Sequence, residues 1–151
     1  MSRKICTMAT PSPGGMDLSN LLKTMSPTLQ NGTYVWITIS PSDSAGQRFL
    51  KENTWNAEML FREREGYTII VTKAIADEAD MDYVFPCCKI TLNVHSSLEA
   101  VGFMAAIATR LTSIGTGSNP VSGYYHDHLF VPVGKDGIIV EELKKMAAEQ
   151  S

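Results

Sequence analysis

The chain has 151 residues, of which 44% are hydrophobic and 19% charged, and its formal net charge is −3. This composition is typical of a folded chain with enough apolar residues for one or two small cores. The acidic balance, and the lack of any apolar run near the roughly 20 residues of a membrane helix, argue against nucleic acids and membranes as partners.

The first half of the chain begins with a predicted flexible extension, residues 1–16, which carries prolines and glycines without periodicity. A short amphipathic helix capped by Asp17 or Ser19 should follow. Tyr34–Ile39 is rich in aromatic and β-branched residues and predicts a strand. Residues 42–56 show weak periodicity, and we expect a loop with at most one helical turn. A hairpin and a helix complete this half: Met59–Phe61, Tyr67–Val71 and a helix near Ala74.

The second half repeats the order of elements. Polar and apolar residues alternate strictly in Lys89–His95, which predicts a strand buried on one side. Ser96 and Glu99 form a capping-box pattern, so we expect a helix from Ser96 to Ile114. Within it, Gly102 predicts a close helix contact. A hairpin that reverses near His126-Asp127 and a helix at Gly137–Ala148 end the chain.

This repeat, at a spacing of roughly 55 to 60 residues, predicts two tandem βαββαβ modules in an α+β fold. We place an extension at residues 1–16, a first domain at 17–83 and a second at 84–151. The second core is predicted to contain Ile90, Leu92, Val94, Val101, Met104, Ala108, Leu111, Val121, Leu129 and Val131.

His126, Asp127 and His128 are the most site-like cluster, because imidazoles and carboxylates are metal-ligand types. On one strand, however, the two histidines share a face while Asp127 points to the other. Only His95 remains as a further imidazole. We therefore predict no metal site, and favour a hairpin tip at which Asp127 bonds nearby backbone.

Catalytic and RNA-binding patterns are incomplete. Ser96 and Ser97 lack the Gly-x-Ser-x-Gly elbow of a hydrolase, and Ser96 already serves as the predicted helix cap. The glycine-containing stretches match neither a P-loop nor a dinucleotide-binding motif. Tyr124, Tyr125 and Phe130 offer rings for stacking on RNA, but no Lys or Arg leads this segment. We predict no enzymatic activity and no cofactor.

The three cysteines are odd in number. Cys87 and Cys88 are adjacent in a predicted strand, so their side chains should point to opposite faces, which makes a mutual disulfide sterically poor. This pattern predicts a reducing, cytoplasmic location.

Four segments carry a resemblance to a known family: Met25–Leu29, Phe61–Ile69, Val94–Gly102 and Gly123–Val131. They resemble those of a group of small proteins built of two ACT-like domains. The resemblance covers roughly Leu18 to Met146 and departs from the group at Gln47–Asn56, which is longer and more polar. It implies tandem ferredoxin-like domains, antiparallel sheets with helices on one face, and binding of amino acids or related metabolites between paired domains.

The resemblance also implies a ligand site at the turn from the first strand into the first helix of the second domain and at the start of the next strand. Helix-start amides there attract a carboxylate. We predict a non-catalytic amino-acid-binding regulator that forms a homodimer, with a protein-interaction module carrying a vestigial pocket as the alternative. The implied site residues are His95, Ser96, Ser97, Asn119, Pro120 and Val121.

Overall fold

The structure is a computed structural model that describes residues 12–150. The elements in this range are α1 Leu18–Thr24, β1 Pro27–Leu29, β2 Tyr34–Ile39, α2 Ser44–Asn53, β3 Met59–Arg62, β4 Tyr67–Thr72, α3 Lys73–Glu78, β5 Val84–Leu92, α4 Phe103–Ser113, β6 Asn119–Ser122, β7 Asp127–Pro132 and α5 Asp136–Ala148. Among the described residues, no helix combines the length and the apolar character needed to cross a bilayer.

The strands form one antiparallel sheet in the order β3-β4-β2-β5-β7-β6, and β1 pairs with the end of β5. Strand β5 holds the two halves together, because its first part pairs with β2 and its last part with β1, while β7 lies along its other side. The predicted α+β class and antiparallel pairing are confirmed. The sequence implied two sheets, but the structure has one continuous sheet, since β5 hydrogen-bonds to strands from both halves.

The helices pack on one side of this sheet, over two separate groups of buried side chains. Core 1 lies under α1, α4 and α5 and contains Leu21, Leu22, Met25, Ile90, Leu92, Phe103, Ile107, Leu111, Leu129, Val131, Ile139, Leu143 and Met146. Core 2 lies under α2 and α3 and contains Val35, Ile37, Ile39, Phe49, Leu50, Ile69, Val71 and Ala76.

The helix-free side carries an aromatic cluster at its centre. Phe130 makes edge-on contacts with Tyr34 and Trp36, at centroid distances of 5.9 and 6.0 Å. Cys87 packs in this cluster while Cys88 packs against core 1, so the prediction that they point to opposite faces is confirmed. Burial raises the pKa of the Cys87 thiol to about 11, which keeps it protonated at neutral pH.

Two elements in the first half differ from the prediction. Residues 42–56 are mostly helical, because the Asp43 carboxylate accepts hydrogen bonds from the amides of Ala45 and Gly46 and starts α2. The chain after Ser26 forms β1 instead of a simple turn. Helix α1 and strand β1, assigned from sequence to the first domain, pack in core 1 and on β5 with the second half.

Helix α4 also differs, in both its start and its buried face. It begins at Phe103, since Gly102 has a φ of +91° and lies outside the helix as its N-cap. The buried positions are therefore Phe103, Ile107 and Leu111, one full helical stripe. Of the predicted core residues, Val101 and Ala108 are exposed, Met104 is half-buried, and Val121 lies on the helix-free side.

Candidate functional site

The connection from β5 to α4 leaves the start of α4 without a cap. The predicted capping box is wrong: the Ser96 hydroxyl does not bond a helix amide, because α4 starts seven residues later. No side chain caps the helix, and within residues 12–150 the amides of Phe103, Met104 and Ala105 have no acceptor. These donors carry the partial positive charge of a helix start and favour an anion.

Asp127 is the second half of the site. It is the first residue of β7, and the alternation of that strand places its side chain on the helix-bearing side, with Leu129 and Val131. The carboxylate accepts hydrogen bonds from the hydroxyls of Ser96 at 2.8 Å and Ser122 at 2.5 Å. It was predicted at the hairpin reversal, but the turn lies at residues 123–126, before it.

The Asp127 carboxylate is buried without a counter-charge. The residue is only 5% exposed, and no Lys, Arg or His of the described chain forms an ion pair with it. A carboxylate offers about four lone-pair positions, and two hydroxyl donors leave the others open. A buried charge in this condition is costly to the fold, which makes a cationic ligand group a favourable partner.

The first turn of α4 and the Asp127 side chain line one cavity of about 200 Å³ at the amino end of α4. Hydrogen-bond donors are supplied by the helix start, and a negative charge by β7. The remaining lining is hydroxylic or apolar. The lining residues are Ser96, Ser97, Leu98, Ala100, Gly102, Phe103, Met104, Ala105, Ser122 and Asp127.

The segment before α1 holds the cavity loop in place. The Gly15 amide donates to the His95 carbonyl, and the Ser97 amide donates to the Gly15 carbonyl, both at 2.8 Å. Gly14 has a φ of +77°, and a Cβ there would lie 2.8 Å from backbone atoms of Ser96 and Ser97. Residues 12–16 of the predicted flexible extension therefore have a structural role, whereas residues 1–11 lie outside the described range.

The structure brings together only part of the predicted site. Ser96 and Ser97 line the cavity, while the His95 ring stacks beside Tyr125 at a centroid distance of 5.3 Å. Asn119 and Val121 pair with β7 residues of the helix-free side, so they lie across the sheet from Ser96. The other predicted residue on this strand, Pro120, is exposed and absent from the lining.

Asn119 belongs to a different depression. It lines a shallow hollow on the helix-free side together with Trp36, Val84 and Phe85. The prediction that Asn119 lies beside the helix start is therefore wrong, since a strand directs alternate residues to opposite faces.

Sequence reasoning missed Asp127, Ser122 and the amides of the true helix start. A signal for Asp127 was present: an acidic residue at a core-facing position, two residues before Leu129 and four before Val131, must be paired or functional. The Ser122 contact depends on the pairing of β6 with β7. The position of the helix start depends on the backbone conformation of Gly102, whereas the capping pattern predicted a start at Ser96.

The neighbouring histidines point elsewhere. The Nδ1 atom of His128 lies 3.0 Å from the Thr91 hydroxyl, and burial lowers the pKa of His128 below its usual value. The Nδ1 atom of His126 lies 3.5 Å from the Val94 carbonyl oxygen. Within the part of the chain that the structure describes, no three metal-ligating side chains cluster together.

Comparison with known proteins identifies one family and one similar solved protein. A profile of the ACT domain matches residues 13–88. A solved protein of unknown function from Vibrio cholerae, described as a possible transport protein, is 37% identical with a TM-score of 0.72, over 86% of this chain and 95% of that chain. A search of curated proteins gave no match.

Two more distant structures share the fold. A protein from Agrobacterium tumefaciens is 16% identical with a TM-score of 0.63, over 82% of this chain and 89% of that one. The ligand-free regulatory subunit of aspartate kinase from Thermus thermophilus is 10% identical with a TM-score of 0.62, over 83% and 97% of the two chains. Identities this low support the fold alone.

Proposed function

The chain belongs to the ACT domain family, and from this premise we propose that it is a non-catalytic regulatory protein that binds a free amino acid at the amino end of α4. One observation carries the proposal: the buried, uncompensated carboxylate of Asp127 lines the same cavity as the unpaired first-turn amides of α4. The fold shared with the regulatory subunit of an aspartate kinase supports the regulatory role.

The two poles of the cavity match the two charges of an amino acid. The ligand carboxylate accepts from the amides of Phe103, Met104 and Ala105, where the helix dipole favours a negative charge. The ligand ammonium donates to Asp127, whose position is fixed by the hydroxyls of Ser96 and Ser122. Binding thus satisfies the orphan helix donors and neutralises the buried carboxylate together.

A thermal-shift screen of the twenty amino acids tests the proposal. A ligand present at 100 times its dissociation constant should stabilise the protein by about 2.7 kcal/mol. Asp127→Asn keeps the shape of the side chain and removes its charge, so affinity by isothermal titration should fall by about 1.5–3 kcal/mol. Asp80→Asn is the control, because Asp80 is exposed and its φ of +51° suits Asn equally well.

The proposal fails if no amino acid shifts the melting temperature of the wild-type protein. It also fails if Asp127→Asn binds as tightly as Asp80→Asn. Urea unfolding of both variants separates loss of the site from loss of the fold.

We further propose that the chain comprises two ACT-like units that meet at β5, with the boundary near residue 83. The strand order β3-β4-β2-β5 recurs as β6-β7-β5-β1, which supports two βαββαβ units that share β5. In this arrangement residues 17–29 complete the second unit rather than the first. The β1 amides should then exchange with deuterium together with those of Ile90–Leu92, and exchange at the rate of β2 would contradict the division.

The surface beside the cavity supports the homodimer expected from the sequence. The outward side of α4 exposes small uncharged residues, whereas the outward side of α5 carries several charges. We propose that a second copy of the chain covers this surface. Ala108→Glu should then lower the mass measured by light scattering to that of a monomer, and Ala148→Glu at the end of α5 should not. The surface consists of Ala105, Ala108, Thr109 and Thr112.

The same surface favours the second candidate function, a protein-interaction module with a vestigial cavity. Under that function the dimer forms and no amino acid in the screen binds. A positive titration that is lost in Asp127→Asn rejects it. The cytoplasmic location stays a prediction from the cysteine pattern.

A further inference from the structure

We propose that the α4 cavity selects amino acids whose side chains are small and uncharged, and rejects acidic and large aromatic ones. The inference rests on the proposed amino-acid binding and goes beyond it by naming the ligand class. It follows from the charges that line the cavity, from its volume and from the way its walls are anchored.

The charge of the lining is the first argument. Among the described residues that line the cavity, Asp127 is the only one with an ionisable side chain. Lys89 and Arg110 lie outside the lining: Lys89 pairs with Glu58 on the helix-free side, and Arg110 pairs with Glu142 and Glu149. A second ligand carboxylate would therefore sit close to Asp127, and no positive group of residues 12–150 lines the cavity to offset the repulsion.

A basic ligand side chain is also disfavoured, because the described lining residues include one carboxylate. One carboxylate can neutralise one ammonium, and that ammonium is the α-amino group. The second cation of lysine or arginine would have no carboxylate in the cavity and would have to extend into solvent past Leu98. Neutral side chains face neither difficulty, which leaves uncharged amino acids as the favoured class.

The volume is the second argument. About 200 Å³ is below the roughly 300–1,000 Å³ of pockets that bind drug-sized ligands. After an amino acid has placed its carboxylate and ammonium at the two poles, little space remains for its side chain.

The walls cannot easily move to enlarge this space. Phe103 is buried in core 1, and Ser96 and Ser122 are tied to Asp127. Overpacking such a site costs binding free energy, as it does in a protein core. Leu98, by contrast, is 67% exposed and can be changed without disturbing buried contacts.

Matched ligand pairs in isothermal titration separate charge from size. Asparagine and aspartate have nearly the same shape, so the ratio of their affinities measures the charge effect. We expect asparagine to bind at least about tenfold more tightly than aspartate. Alanine against phenylalanine measures the size effect, again at about tenfold or more. Propionate and ethylamine, each lacking one pole of alanine, should both bind more weakly than alanine.

Variants at Leu98 test the charge preference and the size preference separately. Leu98→Lys adds a cation at the mouth of the cavity, and aspartate should then bind at least as tightly as asparagine. Leu98→Ala opens the mouth and should narrow the difference between alanine and phenylalanine. Leu98→Met is the control for Leu98→Lys, since Met is unbranched like Lys but carries no charge, and it should leave the preference for asparagine in place.

The outcomes distinguish this inference from the proposed function. If no amino acid binds, the proposed function fails and the inference fails with it. Suppose instead that amino acids bind and that Asp127→Asn loses this binding. If aspartate then binds as tightly as asparagine, or phenylalanine as tightly as alanine, the proposed site is supported and the selectivity is refuted. A reversal in Leu98→Lys supports the selectivity directly.

Discussion

Truncation of Ile107 tests the orientation of α4, on which the whole site depends. Ile107 is 0% exposed and packs in core 1, between Phe103 and Leu111 on the same helical stripe. Ile107→Ala removes buried carbons and leaves a cavity, at a cost of about 2–5 kcal/mol. The higher helix propensity of Ala returns at most about 0.7 kcal/mol. The free energy of unfolding should therefore fall by about 1.3–4.3 kcal/mol.

The measurement is urea unfolding followed by far-UV circular dichroism. With a urea dependence of about 2 kcal/mol per molar, the midpoint should fall by about 1–2 M. Val101→Ala is the matched control, since Val101 is 83% exposed and should change the free energy of unfolding by no more than about 0.5 kcal/mol. A loss below about 0.5 kcal/mol for Ile107→Ala, with a larger one for Val101→Ala, would show that α4 has the face predicted from sequence.

Three further outcomes follow from the structure. Gly14→Ala should lower the free energy of unfolding by at least about 1–2 kcal/mol, because Ala at φ +77° is strained and its Cβ meets the Ser96 backbone. Gly117→Ala is the control for urea unfolding: its Cβ meets no atom within 4 Å, and it should leave the free energy of unfolding unchanged. Asp43→Ala should lower the free energy of unfolding by about 0.5–2 kcal/mol through loss of the α2 cap; no loss would mean that water replaces the cap fully. Burial lowers the pKa of His128 below about 6.5, so the unfolded chain binds the extra proton first and stability falls as the pH drops below about 6.5. His128→Gln should flatten this fall between pH values of about 7.5 and 5.5, and an unchanged slope would assign it to other groups.

The sequence was sufficient for elements whose signal is local and repeated. Composition predicted β2, β3 and β4 nearly to the residue, through the aromatic and β-branched residues of Tyr34–Ile39 and the hairpin pattern of Met59–Phe61 and Tyr67–Val71. Asp17 does cap α1, by accepting a hydrogen bond from the Asn20 amide. These patterns work because period and capping are properties of neighbouring residues. The ACT resemblance, also carried by local motifs, is confirmed by the family match.

Tertiary contacts, and not the local capping pattern, determine where α4 begins. Ser96 followed by Glu99 is a valid capping box, yet the Ser96 hydroxyl donates to Asp127, a residue on β7 that is 31 positions away. The same loop is held by Gly15 from the N-terminal segment. Once Ser96 is engaged in these contacts it cannot start a helix, so α4 begins at Phe103 and its buried face rotates accordingly.

The sequence by itself determined the fold class, the family and most strand positions, because hydrophobic period and turn chemistry are readable over a few residues. Only the tertiary structure decided that β1 joins β5, that Asn119 lies across the sheet from Ser96, and that Asp127 meets the open start of α4. Each of these depends on which strands pair and in what register. A shift of one residue in register moves a side chain to the opposite face of the sheet, and no local pattern fixes that choice.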